Sequence, residues 1–431
     1  MRIGIDCRTI LNPVGGERAG VGYYTYYLLK SLLALDKENT YVLFFDSRFK
    51  QVDEFKQENS EIVFFPFYQY KEYLPVAYSQ MLISAVLAQK KLDLYHSPAN
   101  VIPLFYSRPS VVTIHDLAIY KYPKFFPIKI LNRQIFSTKV LIPRSLARAE
   151  KIIAVSKNTK TDIIEEFGIP EEKIEVIYEG VTVGERDCEE KTEFNQIKEK
   201  YGINDKYILF LGTIEPRKNI ITLIKAFRNL LLAYDSPAQG CQLIIAGAEG
   251  WSNQPVFEAI ADANASIVGL KKRRGGKDRR SGPDSRSEAK KKKQGERRGG
   301  KDRRLKQPIK YIGYVSEGEK TGLICEAVCF VFPSLYEGFG LPVLEAMSLG
   351  TPVITSNVSS LPEIVGEKAG ILVDPNKEAE ISEAIQQILT DQGMRESLSV
   401  LGRQRAKEFS WEECARRTLA VYKKSAESKK K

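Results

Sequence analysis

The chain has 431 residues, 43% of them apolar and 28% charged, too many for one small core and too apolar for a wholly disordered protein. At about 100–200 residues per domain, two or three domains are expected. The formal net charge is +11, but residues 271–306 alone carry 18 Lys+Arg against 5 Asp+Glu, so the remainder stands at −2 and is close to neutral. The run 73–89 is the most apolar of the long uncharged stretches, yet it holds Pro75, Ser79, Gln80 and Ser84 and makes a poor membrane span. The opening MRIGIDC puts Asp6 where a secretory leader needs apolar residues, so no leader is expected. Six cysteines without a C-x2-C pair make a metal site or a disulfide framework unexpected, with a reducing cytoplasm as the default.

In chain order, short apolar runs at 2–6, 41–46, 62–67, 92–96, 110–115, 151–155 and 174–178 read as strands, followed by 207–212, 242–246, 309–314, 328–333, 352–355 and 370–373. Most lack period-2 alternation, as strands buried on both faces do. Between them, 22–35, 219–234 and 378–389 repeat apolar residues at helical spacing. Strand–helix alternation predicts an α/β fold of doubly wound parallel sheets. The two series predict two Rossmann-like domains facing across a cleft, at 1–182 and 207–408, with a linker at 183–206 and a closing helix at 409–426. A ligand is then expected in the cleft, at the carboxyl ends of the strands.

After the first strand, Gly15 and Gly16 precede Gly20 and Gly22 at a helix start. The third glycine of a dinucleotide fingerprint is replaced by Thr25 and no acid stands at the ribose position, which rejects a nicotinamide site. His96 and His115, the only histidines, both fall at carboxyl ends of predicted strands. The loop 118–133 is aromatic and basic, and suits contact with a membrane face as well as ordinary packing. In LGTIEPRKN, Arg217 and Lys218 stand at a helix start, where the dipole prefers anions. A diphosphate held between them accounts for the pair, as does an exposed basic helix end.

Residues 271–306 carry RRGGKDRR twice, at 273–280 and 297–304, with almost nothing apolar. A disordered insert is expected there, between a helix ending near 265–269 and the strand at 309–314. It lacks the aromatics that stack bases, so no specific nucleic acid is expected, although a polyanion-binding arm stays open as a rival. In 333–356, PSLYEGFGLPVLEAMSLGTPVITS, a strand ends, turns through Gly338 and Gly340, and enters a short helix near Pro342. The glycines admit close backbone approach and the helix start offers N–H groups to a phosphate, while Glu337 and Glu345 bracket the ligand with carboxylates suited to sugar hydroxyls. No Asp-x-Asp metal motif stands near the cleft-forming loops. In FSWEECARRTLAVYKK, Ser410 and Glu413 form a capping-box pattern before an apolar stripe of Trp411, Ala415, Leu419 and Tyr422.

The segment 333–356 closely resembles the E-x7-E signature of the retaining, GT-B-fold glycosyltransferases of family 4, many of them mannosyl- or glucosyltransferases. The resemblance covers nearly the whole chain except the basic insert and the lysine-rich tail. It implies that Glu337 contacts the donor sugar, that Glu345 binds the ribose, and that the backbone of Phe339, Gly340 and Leu341 faces sugar and diphosphate. It makes Arg217 and Lys218 the phosphate clamp, although Thr213 stands where several members carry Arg. Gly20 and Gly22 match the loop closing over the diphosphate, and the last helix matches one that packs back on the first domain. His115, in TIHDL, matches a histidine beside the transferred sugar, with Asp116 supporting the loop, and His96 resembles a position near the acceptor. Glu337, His115 and Lys218 are thus the expected catalytic groups. The implied activity is cytoplasmic, metal-independent transfer of a hexose, mannose first, from a nucleoside diphosphate sugar to a glycan or lipid-linked acceptor. No cofactor is implied, a peripheral contact with the inner membrane face is compatible, and a UDP-glucose-type donor is the rival within the class.

Overall fold

The computed structural model describes residues 1–10, 20–65, 76–182, 191–277 and 307–427. The apolar runs of the first half become β1 Arg2–Asp6, β2 Thr40–Asp46, β3 Ser60–Phe65, β4 Leu94–Ser97, β5 Ser110–Ile114, β6 Lys151–Ala154 and β7 Ile174–Val176. They form one sheet in the order β3-β2-β1-β4-β5-β6-β7. The second half supplies β8 Tyr207–Leu211, β9 Gln242–Ala246, β10 Ile309–Tyr311, β11 Cys329–Phe332, β12 Val353–Ser356 and β13 Ile371–Val373, ordered β10-β9-β8-β11-β12-β13. The pairings are parallel. Every residue of β5 (SVVTI) and β11 (CFVF) is buried, which is why these strands show no alternation.

In both sheets the strand order reverses beside the opening strand: β1 lies between β2 and β4, and β8 between β9 and β11. Crossovers leave such a point on opposite faces and open a crevice at the carboxyl ends, the usual ligand position of this architecture. The helix Ile220–Leu232 covers the second sheet with Ile220, Leu223, Ile224, Phe227 and Leu231. The last helix, Trp411–Glu427, lies against the opening helix Val21–Leu35, where Trp411 stacks on Tyr27 with 5.5 Å between ring centroids. The chain crosses between the halves at Gly180, where a Cβ would stand 2.3 Å from the Trp411 backbone nitrogen. Only glycine allows that approach.

Two features differ from the sequence expectation. The helix Gln254–Lys277 continues into the basic segment instead of ending near 265–269; a helix C-terminus favours cations, so the onset of basic sequence does not stop it. The rest of the insert, 278–306, lies outside the described residues, as do Gly15 and Gly16. Cys7, Cys241, Cys329 and Cys414 are free and buried, but Cys325 is disulfide-bonded. A disulfide needs two Cβ atoms within about 4 Å, a condition set by the fold and not by spacing along the chain. Among the described residues no helix is long and apolar enough to cross a membrane.

Candidate active site

Two loops leave the carboxyl ends of β8 and β11, on either side of the second switch point. The first makes a tight turn at Pro216–Lys218, and Asn219, at φ +57°, separates it from the helix Ile220–Leu232. The Arg217 carbonyl accepts the Leu335 N–H at 2.9 Å and so ties this turn to the second loop. Lys218 Nζ lies 2.5 Å from Glu337 Oε1, and Arg217 Nη1 lies 3.1 Å from Glu337 Oε2. Arg217 also pairs with Glu215 at 2.8 Å, and Ser334 donates to Glu337 at 2.6 Å. Burial alone would push the Glu337 carboxyl up, but Arg217 and then Lys218 outweigh it and hold the group below its ordinary value. Two cations and two carboxylates balance, which lets four charges sit largely out of water.

The chain after Glu337 turns through Gly338 and Gly340, the latter at φ +123°, into the helix Leu341–Ser348 with Pro342 in its first turn. Phe339 is anchored by its ring, which packs against Tyr178 and Phe409 at 6.1 and 5.9 Å between centroids. Its carbonyl accepts the Ser360 hydroxyl at 2.5 Å. The N–H groups of Gly338, Phe339 and Gly340 meet no acceptor among the described residues. Successive unpartnered N–H groups at a helix start form a cradle for an anion. Further along that helix, Glu345 Oε1 lies 2.9 Å from Lys320 Nζ, which also holds Glu317 at 2.8 Å. Here burial wins: the Glu345 carboxyl is raised despite Lys320. Tyr23, from the opening helix, has its phenol raised by burial and then by the charge of Glu345, so the two halves approach each other at this carboxylate.

On the first-half side, Gly20 caps the opening helix at φ +61°, while Gly22 is buried within its first turn and belongs to the helix, not to a loop. Leu341 is the first residue of its helix and half-buried. His115 directly follows β5 with both ring nitrogens engaged: Nε2 lies 2.8 Å from the Pro98 carbonyl and Nδ1 3.1 Å from Glu179 Oε1. Nε2 therefore carries a hydrogen that it donates to the Pro98 carbonyl. The His115 carbonyl abuts the second half: a Cβ on Gly338 would stand 1.7 Å from it. Asp116 Oδ1 accepts the Ala118 N–H at 3.0 Å and so supports its own loop. His96 is a correction. It is fully buried, bonded to Tyr422 at 2.6 Å and Thr113 at 2.8 Å, and burial lowers its pKa to about 3, so it is a neutral brace for the last helix with no access to an acceptor.

Contacts across the cleft complete the frame. Glu363 accepts the N–H groups of Lys157 and Asn158, both at 2.8 Å, at the start of the helix Lys157–Phe167. Tyr336 donates to Asp162 at 2.7 Å. Sequence reasoning missed Glu215, Ser334, Lys320, Glu179 and Glu363. Their partners lie on other elements, except for Glu215 and Ser334, which flank the motifs and were legible as short-range acceptor and donor.

Two doubly wound parallel sheets with a cation–carboxylate cluster at the second switch point are the framework of a GT-B glycosyltransferase. The chain superimposes on the structure of Anabaena HepE in complex with UDP and glucose with a TM-score of 0.65, at 16% identity and over 98% of this chain and 100% of that one, a likeness of fold. It matches the family described as Glycosyl transferases group 1 over residues 193–405 and Glycosyltransferase Family 4 over residues 18–185. It is 33% identical over 331 residues to O-antigen chain mannosyltransferase B of Escherichia coli, covering 77% of this chain and 74% of that protein. It is 27% identical to O-antigen chain mannosyltransferase RfbU of Salmonella typhimurium over 289 residues, 67% of this chain and 63% of that protein. The chain belongs to the group 1, family 4 glycosyltransferases, enzymes that transfer a hexose from a nucleotide sugar.

Proposed function

We propose that this enzyme moves mannose from a nucleoside diphosphate sugar to a growing, lipid-carried glycan, with retention of the anomeric configuration. The observation that carries the reading is Glu337, held ionised between Lys218 and Arg217 beside the unpartnered N–H groups of the 338–340 turn. That arrangement offers a carboxylate to sugar hydroxyls, and cations and N–H groups to a diphosphate. Glu337 and Lys218 meet the sugar and its phosphate, Arg217 and the backbone from Phe339 to Leu341 take the diphosphate, and Glu345 takes the ribose. Gly20 and Gly22 shape the diphosphate side from the opening helix, and His115 orients the sugar from the β5 end. The domains are 1–182 for the acceptor and 207–408 for the donor, joined by 183–206 and braced by 409–426. The leaving phosphate accepts the proton of the attacking hydroxyl on the same face, so neither a protein nucleophile nor a metal is required, and preorganised cations stabilise the departing charge. The named activities of the two O-antigen relatives support mannose as the sugar.

Work at the inner membrane face fits the first half, where Ile128 and Ile135 are 75% and 47% exposed on the helix Ile128–Phe136 beside exposed Lys129. Apolar side chains flanked by lysine suit an anionic lipid surface. The reading is tested by thermal shift with GDP-mannose, UDP-glucose and ADP-glucose, since a ligand that binds only the folded state raises its stability. GDP-mannose is expected to give the largest shift, and NMR of the product a retained linkage formed equally well in EDTA. A shift with UDP-glucose alone reassigns the donor, and no shift with any of the three removes the site assignment.

A further inference from the structure

The first-half helix Lys157–Phe167 has its opening turn capped from two sources. Its own Ser156 accepts the Thr159 N–H at 3.0 Å. The Lys157 and Asn158 N–H groups, orphan donors of the same turn, reach one oxygen each of Glu363, from the second half, at 2.8 Å. The Tyr178 hydroxyl donates to that carboxylate at 3.0 Å. A helix start favours an anion, and the first turn of this helix holds no acid of its own. Glu363 supplies the charge from across the cleft.

The same helix grips the donor turn. Thr159 Oγ1 donates to the Gly338 carbonyl at 3.2 Å and Asp162 accepts the Tyr336 hydroxyl at 2.7 Å, so its contacts flank Glu337 on both sides. Glu363 itself lies in a short helix, Leu361–Val365, that begins directly after Ser359 and Ser360. Ser359 Oγ accepts the Glu337 N–H at 3.0 Å and donates to the Glu337 carbonyl at 2.6 Å, while Ser360 holds the Phe339 carbonyl. Ser359 stands at φ +61°, which a residue other than glycine adopts only where its surroundings impose it. A helix of five residues does not impose that by its own hydrogen bonds. Its seat comes from buried Leu361, Ile364 and Val365, and from Arg405, which donates to the Glu363 and Ile364 carbonyls at 2.6 and 3.0 Å. The grip of Glu363 on the first half completes it.

We propose that Glu363 is a positioning residue for the transfer step: it completes the cap of the first-half helix and thereby sets the Ser359–Ser360 cradle that holds the backbone of Glu337. The proposal rests on the reading of Glu337 as the carboxylate that meets the sugar, and adds that this carboxylate is in register only while the halves are clasped at Glu363. Glu345 and Lys320 make no hydrogen bond to the clasp among the described residues, so nucleotide binding does not depend on it.

The test uses the full-length enzyme with Glu363→Ala, Glu363→Gln, Lys157→Pro and the double variant of Lys157→Pro with Glu363→Ala. Proline suits a first helical position, and Ser156, at φ −153° and ψ 165°, already has the extended backbone that precedes proline. Lys157→Pro therefore deletes one donor to Glu363 and leaves the helix. Turnover, calorimetric affinity for GDP or UDP, whichever matches the donor, and hydrogen exchange at the Glu337 amide are measured. Glu363→Ala is expected to lose about tenfold in kcat and to exchange the Glu337 amide faster, with nucleotide affinity within about twofold of wild type. Glu363→Gln, which keeps one acceptor oxygen, is expected to fall between. Lys157→Pro is expected to cost about threefold in the wild type and nothing further in Glu363→Ala. Wild-type turnover and exchange in Glu363→Ala overturn the proposal. An equal loss of nucleotide affinity, which makes Glu363 a general brace, overturns it as well, and so do additive losses in the double variant. The underlying reading fails on a different variant: wild-type turnover in Glu337→Ala removes that carboxylate from the reaction, and the proposal falls with it.

Discussion

Glu337 lies in an extended turn between two cations, whereas Glu345, eight residues on, projects from the following helix toward one. Both carboxyls lose water to burial. At Glu337, Arg217 and Lys218 more than restore the ionised state; at Glu345, Lys320, itself shared with Glu317, does not. The number of cations per carboxylate, and not the motif spacing, therefore separates the two. A carboxylate that stays ionised suits the reacting sugar, where positive charge develops in the transition state. A carboxyl poised higher suits a ribose, which is bound equally before and during reaction.

The largest expected effect strikes the two-cation side. Glu337→Ala and Lys218→Ala are each expected to lose ~100-fold in turnover, on the order of 3 kcal/mol for one preorganised charge contact, while circular dichroism stays that of the wild type. Turnover within a few-fold of wild type in both variants would equate the two carboxylates and break the comparison.

The legible and illegible parts of the molecule divide along the same line of local against distant cause. The strands were readable because β5, β8 and β11 are buried on both faces, and burial of that kind leaves an unbroken apolar run. The site turn was readable because Glu337, the glycines, Pro342 and the short helix lie within a dozen residues. The two histidines were not separable, since each stands near the carboxyl end of a strand and their difference comes from afar. His96 meets Tyr422, 326 positions later in the chain, whereas His115 meets Glu179 and backs onto Gly338. Lys320 and Glu363 escaped notice for that reason as well: one reaches Glu345 and the other the Lys157 and Asn158 N–H groups only after the sheets have formed.

A smaller effect sharpens the one-cation side. Because the Glu345 carboxyl titrates above an ordinary glutamate, acidification neutralises it early, and nucleotide affinity is expected to fall at a higher pH than an exposed carboxylate would dictate. Lys320 lowers that pKa, so Lys320→Met is expected to move the fall to higher pH still, with Lys320→Arg close to wild type. Affinity measured by calorimetry across pH checks this, and an unchanged profile in Lys320→Met would show that Lys320 does not govern Glu345.

The smallest expected effect is the replacement of 271–306 by a short Gly-Ser turn, which leaves both carboxylates and their cations untouched. Transfer rate and donor affinity are expected to match wild type, while retention on heparin at low salt is lost with the net +13 of the segment. A variant that folds and binds donor but cannot transfer to its natural acceptor would make the segment an acceptor- or membrane-recruiting element.

The most direct measurement is a calorimetric titration of the nucleoside diphosphate alone into wild type, Glu337→Gln and Glu345→Gln. If Glu337 serves the sugar and Glu345 the ribose, Glu337→Gln binds the sugarless nucleotide as wild type does, and Glu345→Gln binds it about tenfold more weakly, one lost hydrogen bond to a charged group. Equal losses in both variants, or a loss in Glu337→Gln alone, would contradict the division of the site between the two carboxylates.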